Sequence, residues 1–270
     1  MNSKRKFDLV CSLGGNCSAA HNLRYRKKRY HSLPFDWCYI VDEKPVYKLA
    51  ECFKNDSFEL IAQKDNLRSL TPEEEEKNVN HPDTIHYKDD WSNYYFVNHF
   101  YKTIENGGYT EFYKKFSKRI KRLLKEIDNS KNILFIISSP FEFNKNAVLE
   151  LQNVLAEKYP NKCFSFELVE FNCKNNEISD ENPNFTIRKI KRDLNDYDFL
   201  GTNFEWAFLD NIIVRNPNER KLVHIQKIKK GIKIVLLGAI PTLLRIKLFV
   251  FGIRFDFCFG KDKRIKFEEQ

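Results

Sequence analysis

Leu9 to Leu13 is a short apolar run that passes directly into Gly14-Gly15-Asn16, and no other stretch restricts the chain as much. A run of this length reads as a buried strand, two glycines allow a sharp reversal, and Asn16 is a favoured helix N-cap. The predicted order is strand, tight turn and helix, with Cys17 in the first helical turn. Unpaired backbone N–H groups and the positive end of the helix dipole favour a thiolate there. Cys17 is therefore a candidate nucleophile. Ser12, Gly14, Gly15 and Asn16 are candidate substrate-binding positions, and the backbone N–H groups of Asn16 and Cys17 are candidate oxyanion donors. Two other uses compete: a free cysteine is among the most buried residue types, and a glycine turn opening a helix can cradle a phosphate. The turn lacks the Gly-Lys-Ser/Thr ending of a P-loop, so its nucleotide signal is weak.

Downstream the chain alternates elements. Val46, Leu49, Ala50 and Phe53 imply a helix, and Phe112, Phe116, Ile120, Leu123, Leu124 and Ile127 fall at three- and four-residue steps on another. Ile133 to Ile137 is an unbroken apolar run of the kind found in parallel strands covered on both faces. A helix carrying Ala147, Val148, Leu151, Val154 and Leu155 follows, then the strand Phe164 to Val169. This order predicts a layered α/β fold with a mostly parallel sheet and flanking helices, and it sets Ser138-Ser139-Pro140 just past a strand's carboxyl end. Residues 55–90 show no apolar period and are read as a surface loop. His81 and His86, with Asp83, Asp89 and Asp90, match no standard ligand spacing, so no metal site is assigned. Phe185 to Ile190 is expected to form an edge strand after a polar linker, and Phe204 to Leu209 a helix.

The seven cysteines are odd in number and include no C-x-x-C pair, so neither a disulfide framework nor a zinc knuckle is indicated, and a reducing cytoplasm fits best. Asp8 and the glycine turn cut short any secretion-type apolar segment. A formal charge of +9 favours an anionic neighbour. The sequence divides into an α/β domain over residues 1–215 and a basic, apolar appendage over 216–270. Within the appendage, Ile234 to Leu244 is too short for a spanning helix and contains Pro241. It is read as a helix lying in a membrane interface, where Lys233, Lys247 and Arg254 share a face, or else as an element docked on the domain or a second subunit.

Ser12-Leu13-Gly14-Gly15-Asn16-Cys17, a basic helix, and then Pro34-Phe35-Asp36-Trp37 resemble the opening blocks of a papain-like cysteine peptidase family, a bacterial and viral domain of unknown function associated with capsule and lipopolysaccharide synthesis. Val97-Asn98-His99-Phe100, Tyr113 to Leu124 with Arg119-Ile120, and Ile133-Leu134-Phe135 continue the resemblance, which covers roughly residues 7–210. It implies a Cys17 nucleophile with His99 as base. Asp36 is placed at the rim of the same site or, alternatively, in a cap of the following helix. No third residue stands out among Asp193, Asp196, Asp198 and Asp210. A papain fold separates a helical half from a barrel-like half, whereas the periodicity here predicts a doubly wound sheet. The resulting expectation is a cofactor-free thiol hydrolase or acyl/peptidyl transferase acting on a small-molecule, glycan or peptide substrate. It would be cytoplasmic and peripheral on anionic membrane through the appendage, with nucleic acid disfavoured. The alternative is a glycosyl- or phosphoryl-transferase using a nucleotide sugar, with Cys17 structural.

Overall fold

In a computed structural model the chain divides into two compact units, Met1–Val214 and Arg215–Gln270. The structure describes residues 4–78, 84–171, 173–191 and 206–215, and the strand residues 232–240, 243–250 and 253–259.

The first unit is built on the alternation seen in the sequence. Strand β1 (Arg5–Phe7) precedes β2 (Leu9–Ser12), the turn, and helix α1 (Cys17–Tyr25). Then come β3 (Cys38–Tyr39) and α2 (Lys44–Asn55). The segment read as a surface loop instead contributes β4 (Leu67–Ser69), α3 (Pro72–Asn78) and β5 (Ile85–Asp89). Strand β4 pairs with β5, and β5 pairs in turn with the aromatic β6 (Tyr95–Phe100), which lies outside the segment. Helix α4 (Gly108–Asp128), strand β7 (Asn132–Ser139), helix α5 (Lys145–Lys158) and strand β8 (Cys163–Glu170) follow where the periodicity sets them.

The main sheet has the order β2-β7-β8-β10-β9, where β9 is Glu177–Asn182 and β10 is Phe185–Lys189. Neighbours β2, β7, β8 and β10 run parallel and β9 runs antiparallel. Strand β10 is therefore interior and not an edge. The supposed polar linker is itself the edge strand β9, polar because only one of its edges is paired. A short 3-10 turn, Ala207–Asn211, stands where the Trp206 helix was expected, and β11 (Ile212–Val214) pairs in parallel with β1.

Both faces of the main sheet are covered, as the unbroken apolar strands require. On one face Ile133, Phe135, Ile137, Phe164, Phe166 and Leu168 pack with the buried sides of α2, α4 and α5. On the other, Val10, Leu134, Ile136 and Val169 pack with Ala19 and Leu23 of α1 and with the fully buried Trp206. The second sheet, β3-β6-β5-β4, is antiparallel and meets the first at the glycine turn through a bridge between Gly15 and Tyr39.

The second unit departs from the expected interfacial helix. Strands β12 (Ile232–Ile240), β13 (Leu243–Val250) and β14 (Ile253–Phe259) form an antiparallel sheet in chain order. Leu243-Leu244-Arg245-Ile246-Lys247-Leu248 and Ile253-Arg254-Phe255-Asp256-Phe257 alternate with period two, a strand pattern that a 100° reading of the lysines overlooks. No helix among the described residues is long and apolar enough to cross a membrane.

Candidate functional site

The turn after β2 is fixed by main-chain geometry on two sides. Gly15 N–H donates to the Cys38 carbonyl at 3.1 Å, Ile40 N–H donates to the Gly15 carbonyl at 3.2 Å, and Ser138 N–H donates to the Gly14 carbonyl at 3.2 Å. Gly15 has φ +121°, and a Cβ there would lie 1.5 Å from the Ser138 carbonyl oxygen, so only glycine fits. Gly14, at φ +101°, lies under Tyr94, whose hydroxyl donates to the Leu13 carbonyl at 2.8 Å. Ser12 Oγ accepts the Gly14 N–H at 3.2 Å and braces the turn from within.

Asn16 caps α1 as its residue type predicts, its Oδ1 accepting the Ser18 N–H at 3.0 Å. The Asn16 N–H donates to Ser138 Oγ at 3.2 Å, and Ser138 Oγ returns a hydrogen bond to Asn16 Oδ1 at 2.9 Å. The Asn16 N–H proposed as an oxyanion donor is thus already engaged. Ser12 Oγ and Asn16 Oδ1 bond within the chain, and these residues, like both glycines, are buried.

Cys17 follows at the first position of α1, half-buried at the carboxyl end of the edge strand β2. Burial pushes its thiol up to about 11, and its own backbone N–H, aimed at the sulfur, offsets only part of that. The helix terminus does not hold a resting thiolate, because desolvation of the anion outweighs the dipole. Burial pushes the Tyr39 phenol up, and the neighbouring Cys17 and Tyr95 push it further.

Asp36 is fully buried behind the turn. It is ion-paired with Arg29, and its Oδ2 accepts the Leu33 N–H at 2.7 Å. Its Oδ1 is buried without a hydrogen-bond partner among the described residues, and burial, only partly countered by Arg29, raises its pKa to about 6. The geometry closes the Leu33-to-Trp37 loop on itself, with Phe35 stacked on Tyr94 at 5.0 Å.

His99 stands near the end of β6. Its ring packs edge-on against Phe96 at 5.5 Å and Phe112 at 5.7 Å and hydrogen-bonds to the backbone of Trp37. Nε2 is buried and unpartnered among the described residues. Burial, with Arg119 and Lys115 nearby, pushes the imidazole down to about 3, so the ring is neutral. In the small sheet Cys38 pairs with Phe96 and Tyr39 with Tyr95. The first pair faces the main core and the second a separate cluster with Val97 and Leu70. Cys17 neighbours Tyr39, and His99 neighbours Phe96. No hydrogen bond joins Cys17 to His99 among the described residues.

His21 carries a signal that the sequence offered and that went unused. It stands four residues after Cys17 on α1, and these two are half-buried while Ser18, Ala19, Ala20, Asn22 and Leu23 between and beside them are buried. Residues at this spacing are surface neighbours on one helical face, about 5–6 Å apart at Cβ, and the later side chain leans back over the earlier turn. The His21 ring stacks on Tyr25 at 6.4 Å. Asp210 pairs with Arg26 at 2.5 Å, and Asp193, Asp196 and Asp198 lie outside the described residues, as do His81 and Asp83. No cluster of three or more metal-ligating side chains occurs among the described residues.

These features define an α/β protein with a cysteine at the helix terminus that follows its first core strand. The chain belongs to the family described as Putative papain-like cysteine peptidase, whose model matches residues 8–176. That span takes in the glycine turn, Cys17, the Pro34-to-Trp37 loop, His99 and Arg119. No curated protein and no solved structure matches the chain.

Proposed function

We propose that the protein is a thiol-dependent hydrolase or acyl/peptidyl transferase in which Cys17 is the nucleophile and His21 its proton acceptor. The observation that carries this reading is the half-buried pair on one face of α1, set directly after a turn whose Gly15 position admits no Cβ. Because burial keeps the thiol protonated, an activating base is needed at the moment of attack. His99, the base that the family resemblance implies, is pushed by burial down to about 3, which makes it a weak proton acceptor near neutral pH, and its ring packs on Phe96 and Phe112 and hydrogen-bonds to the Trp37 backbone.

In the proposed step the His21 imidazole takes the Cys17 proton and the sulfur attacks a carbonyl carbon. The C–S bond forms as the bond to the leaving group breaks, and the imidazolium returns its proton to the leaving group. Water or an acceptor hydroxyl or amine then attacks the thioester and regenerates the thiol. The link to capsule and lipopolysaccharide synthesis that the resemblance implies makes glycan-linked acyl or peptidyl groups the first substrates to try.

Intact-mass analysis after exposure to a panel of acyl thioesters and activated peptides tests the proposal. An adduct on Cys17 that Cys17→Ala abolishes and His21→Gln slows by about a hundredfold is expected. An adduct indifferent to His21 but lost in His99→Gln would return the base role to His99. No Cys17 adduct with any acyl donor would remove the thiol mechanism.

A further inference from the structure

Asn16 does more than capping α1 requires. Its Oδ1 accepts three donors: the Ser18 N–H at 3.0 Å, the Ser138 hydroxyl at 2.9 Å and the Ser18 hydroxyl. The Ser18 N–H can only donate, so the atom facing it is the amide oxygen and the other branch of the side chain is the nitrogen. Asp and Ser cap helices about as well as Asn does, and a carboxylate would receive three donors more strongly. What asparagine alone adds at this position is Nδ2, with two N–H donors.

Nδ2 donates to no group among the described residues. It is also not one of the buried polar atoms without a partner, so it reaches solvent although Asn16 is only 8% exposed. The three bonds to Oδ1 leave the amide little freedom to turn, and the direction of both Nδ2–H bonds is fixed with it. Cys17 comes next in the chain, and its backbone N–H, aimed at its own sulfur, donates to no other residue among those described. Two uncommitted donors, one from a side chain and one from the main chain, therefore stand on consecutive residues at the half-buried thiol.

We propose that Asn16 Nδ2 is the side-chain donor to the oxyanion formed when Cys17 attacks a carbonyl carbon, with the Cys17 N–H as its main-chain partner. The inference rests on the Cys17 nucleophile proposed above. As the C–S bond forms, the carbonyl π pair moves onto oxygen, and the Nδ2–H and Cys17 N–H groups donate to that O⁻. The pair then returns to re-form C=O as the leaving group departs with the proton carried by the imidazolium. Donors already fixed in place need no reorganisation at that moment, and removing one lowers the rate by about a hundredfold or more. The main-chain N–H of Asn16 has a separate task, holding Ser138 at the end of β7.

Two reactions of the full-length protein, compared in the same variants, test the donor. Acylation of Cys17 by p-nitrophenyl acetate or S-phenyl thioacetate, whichever is faster with wild type, passes through an oxyanion. Alkylation by iodoacetamide is a direct displacement at carbon and does not. Asn16→Ser keeps a neutral cap and Asn16→Asp keeps the shape and the acceptor oxygen, so both should fold. In each, the acylation rate divided by the alkylation rate, both followed at Cys17 by peptide mapping, should fall about a hundredfold. Division by the alkylation rate removes any change in thiolate population, including the one an added carboxylate causes. An unchanged ratio in either variant overturns the Asn16 donor and leaves the thiol mechanism standing. Wild-type protein that iodoacetamide alkylates on Cys17 but neither acyl donor acylates there overturns both.

Discussion

Ser138 Oγ accepts the Asn16 N–H and donates back to Asn16 Oδ1, so the end of β7 and the cap of α1 close a two-bond ring. Asn16 thereby serves a helix and a strand with one side-chain oxygen: it caps the Ser18 N–H and receives the Ser138 hydroxyl. The position of the neighbouring Cys17 follows from that ring and from the glycine backbone before it.

Substituting Gly15 tests how tightly that position is held. Gly15→Ala puts a methyl 1.5 Å from a backbone oxygen that is itself fixed in the main sheet, so stability should fall by roughly 3 kcal/mol or more. Gly107 also has a positive φ, +84°, but open space around it, and Gly107→Ala should lose only about 1 kcal/mol. Urea unfolding of both variants compares crowding plus strain with strain alone.

The thiol should be slow at neutral pH. With Cys17 pushed up to about 11, iodoacetamide should modify it far more slowly at pH 7 than it modifies the exposed Cys163, and the Cys17 rate should still be climbing at pH 10. Peptide mapping of a labelling time course separates the two sites. Rapid Cys17 labelling at pH 7 would mean that a cation or donor stabilises the thiolate in solution.

Two buried groups should tilt stability against pH in opposite directions. His99 is depressed to about 3, so the unfolded chain binds its proton more readily. Its contribution is complete above an unfolded value of about 6.5 and is lost as pH falls toward 3. Asp36 is raised to about 6, so its contribution is complete below about 3.9 and lost as pH rises through 6. His99→Gln should flatten the acid-side loss between pH 6 and 4, while Asp36→Asn should remove the opposing slope across the same window. Denaturant midpoints measured at half-unit pH steps distinguish them.

Removing one partner of the Arg29–Asp36 pair should cost more than removing both. Asp36 is fully buried and Arg29 nearly so, and Arg29→Met leaves the carboxylate with the Leu33 N–H and the more weakly acting Arg119, a loss of about 3–5 kcal/mol. Arg29→Met with Asp36→Asn should recover part of that. A double-mutant cycle by thermal unfolding gives the coupling, and additive losses would mean that the pair contributes little.

The long periodic elements were readable because their own residues specify them: α4 repeats Phe112, Phe116, Ile120, Leu123 and Ile127, and β7 is apolar throughout. The turn was readable because few residues besides Gly14, Gly15 and Asn16 meet its backbone demands. Strands β5 and β9 were hidden because their partners, β6 and β10, are separate segments and their own residues are largely polar. The β12–β14 pattern was present in the sequence and was masked by the weight given to its lysines. His99 shows a different limit. Its place among aromatic residues is legible in Tyr94-Tyr95-Phe96, but which face of the small sheet its ring joins depends on an irregular register between β5 and β6.

The glycine turn is stitched by main-chain hydrogen bonds to Cys38 and Ile40 on one side and to Ser138 on the other. It therefore acts as a rivet between two plates rather than a hinge. Side chains around Cys17 can be exchanged without moving the sulfur's anchor, so selectivity for one ligand over another is free to change while the reactive atom stays in place.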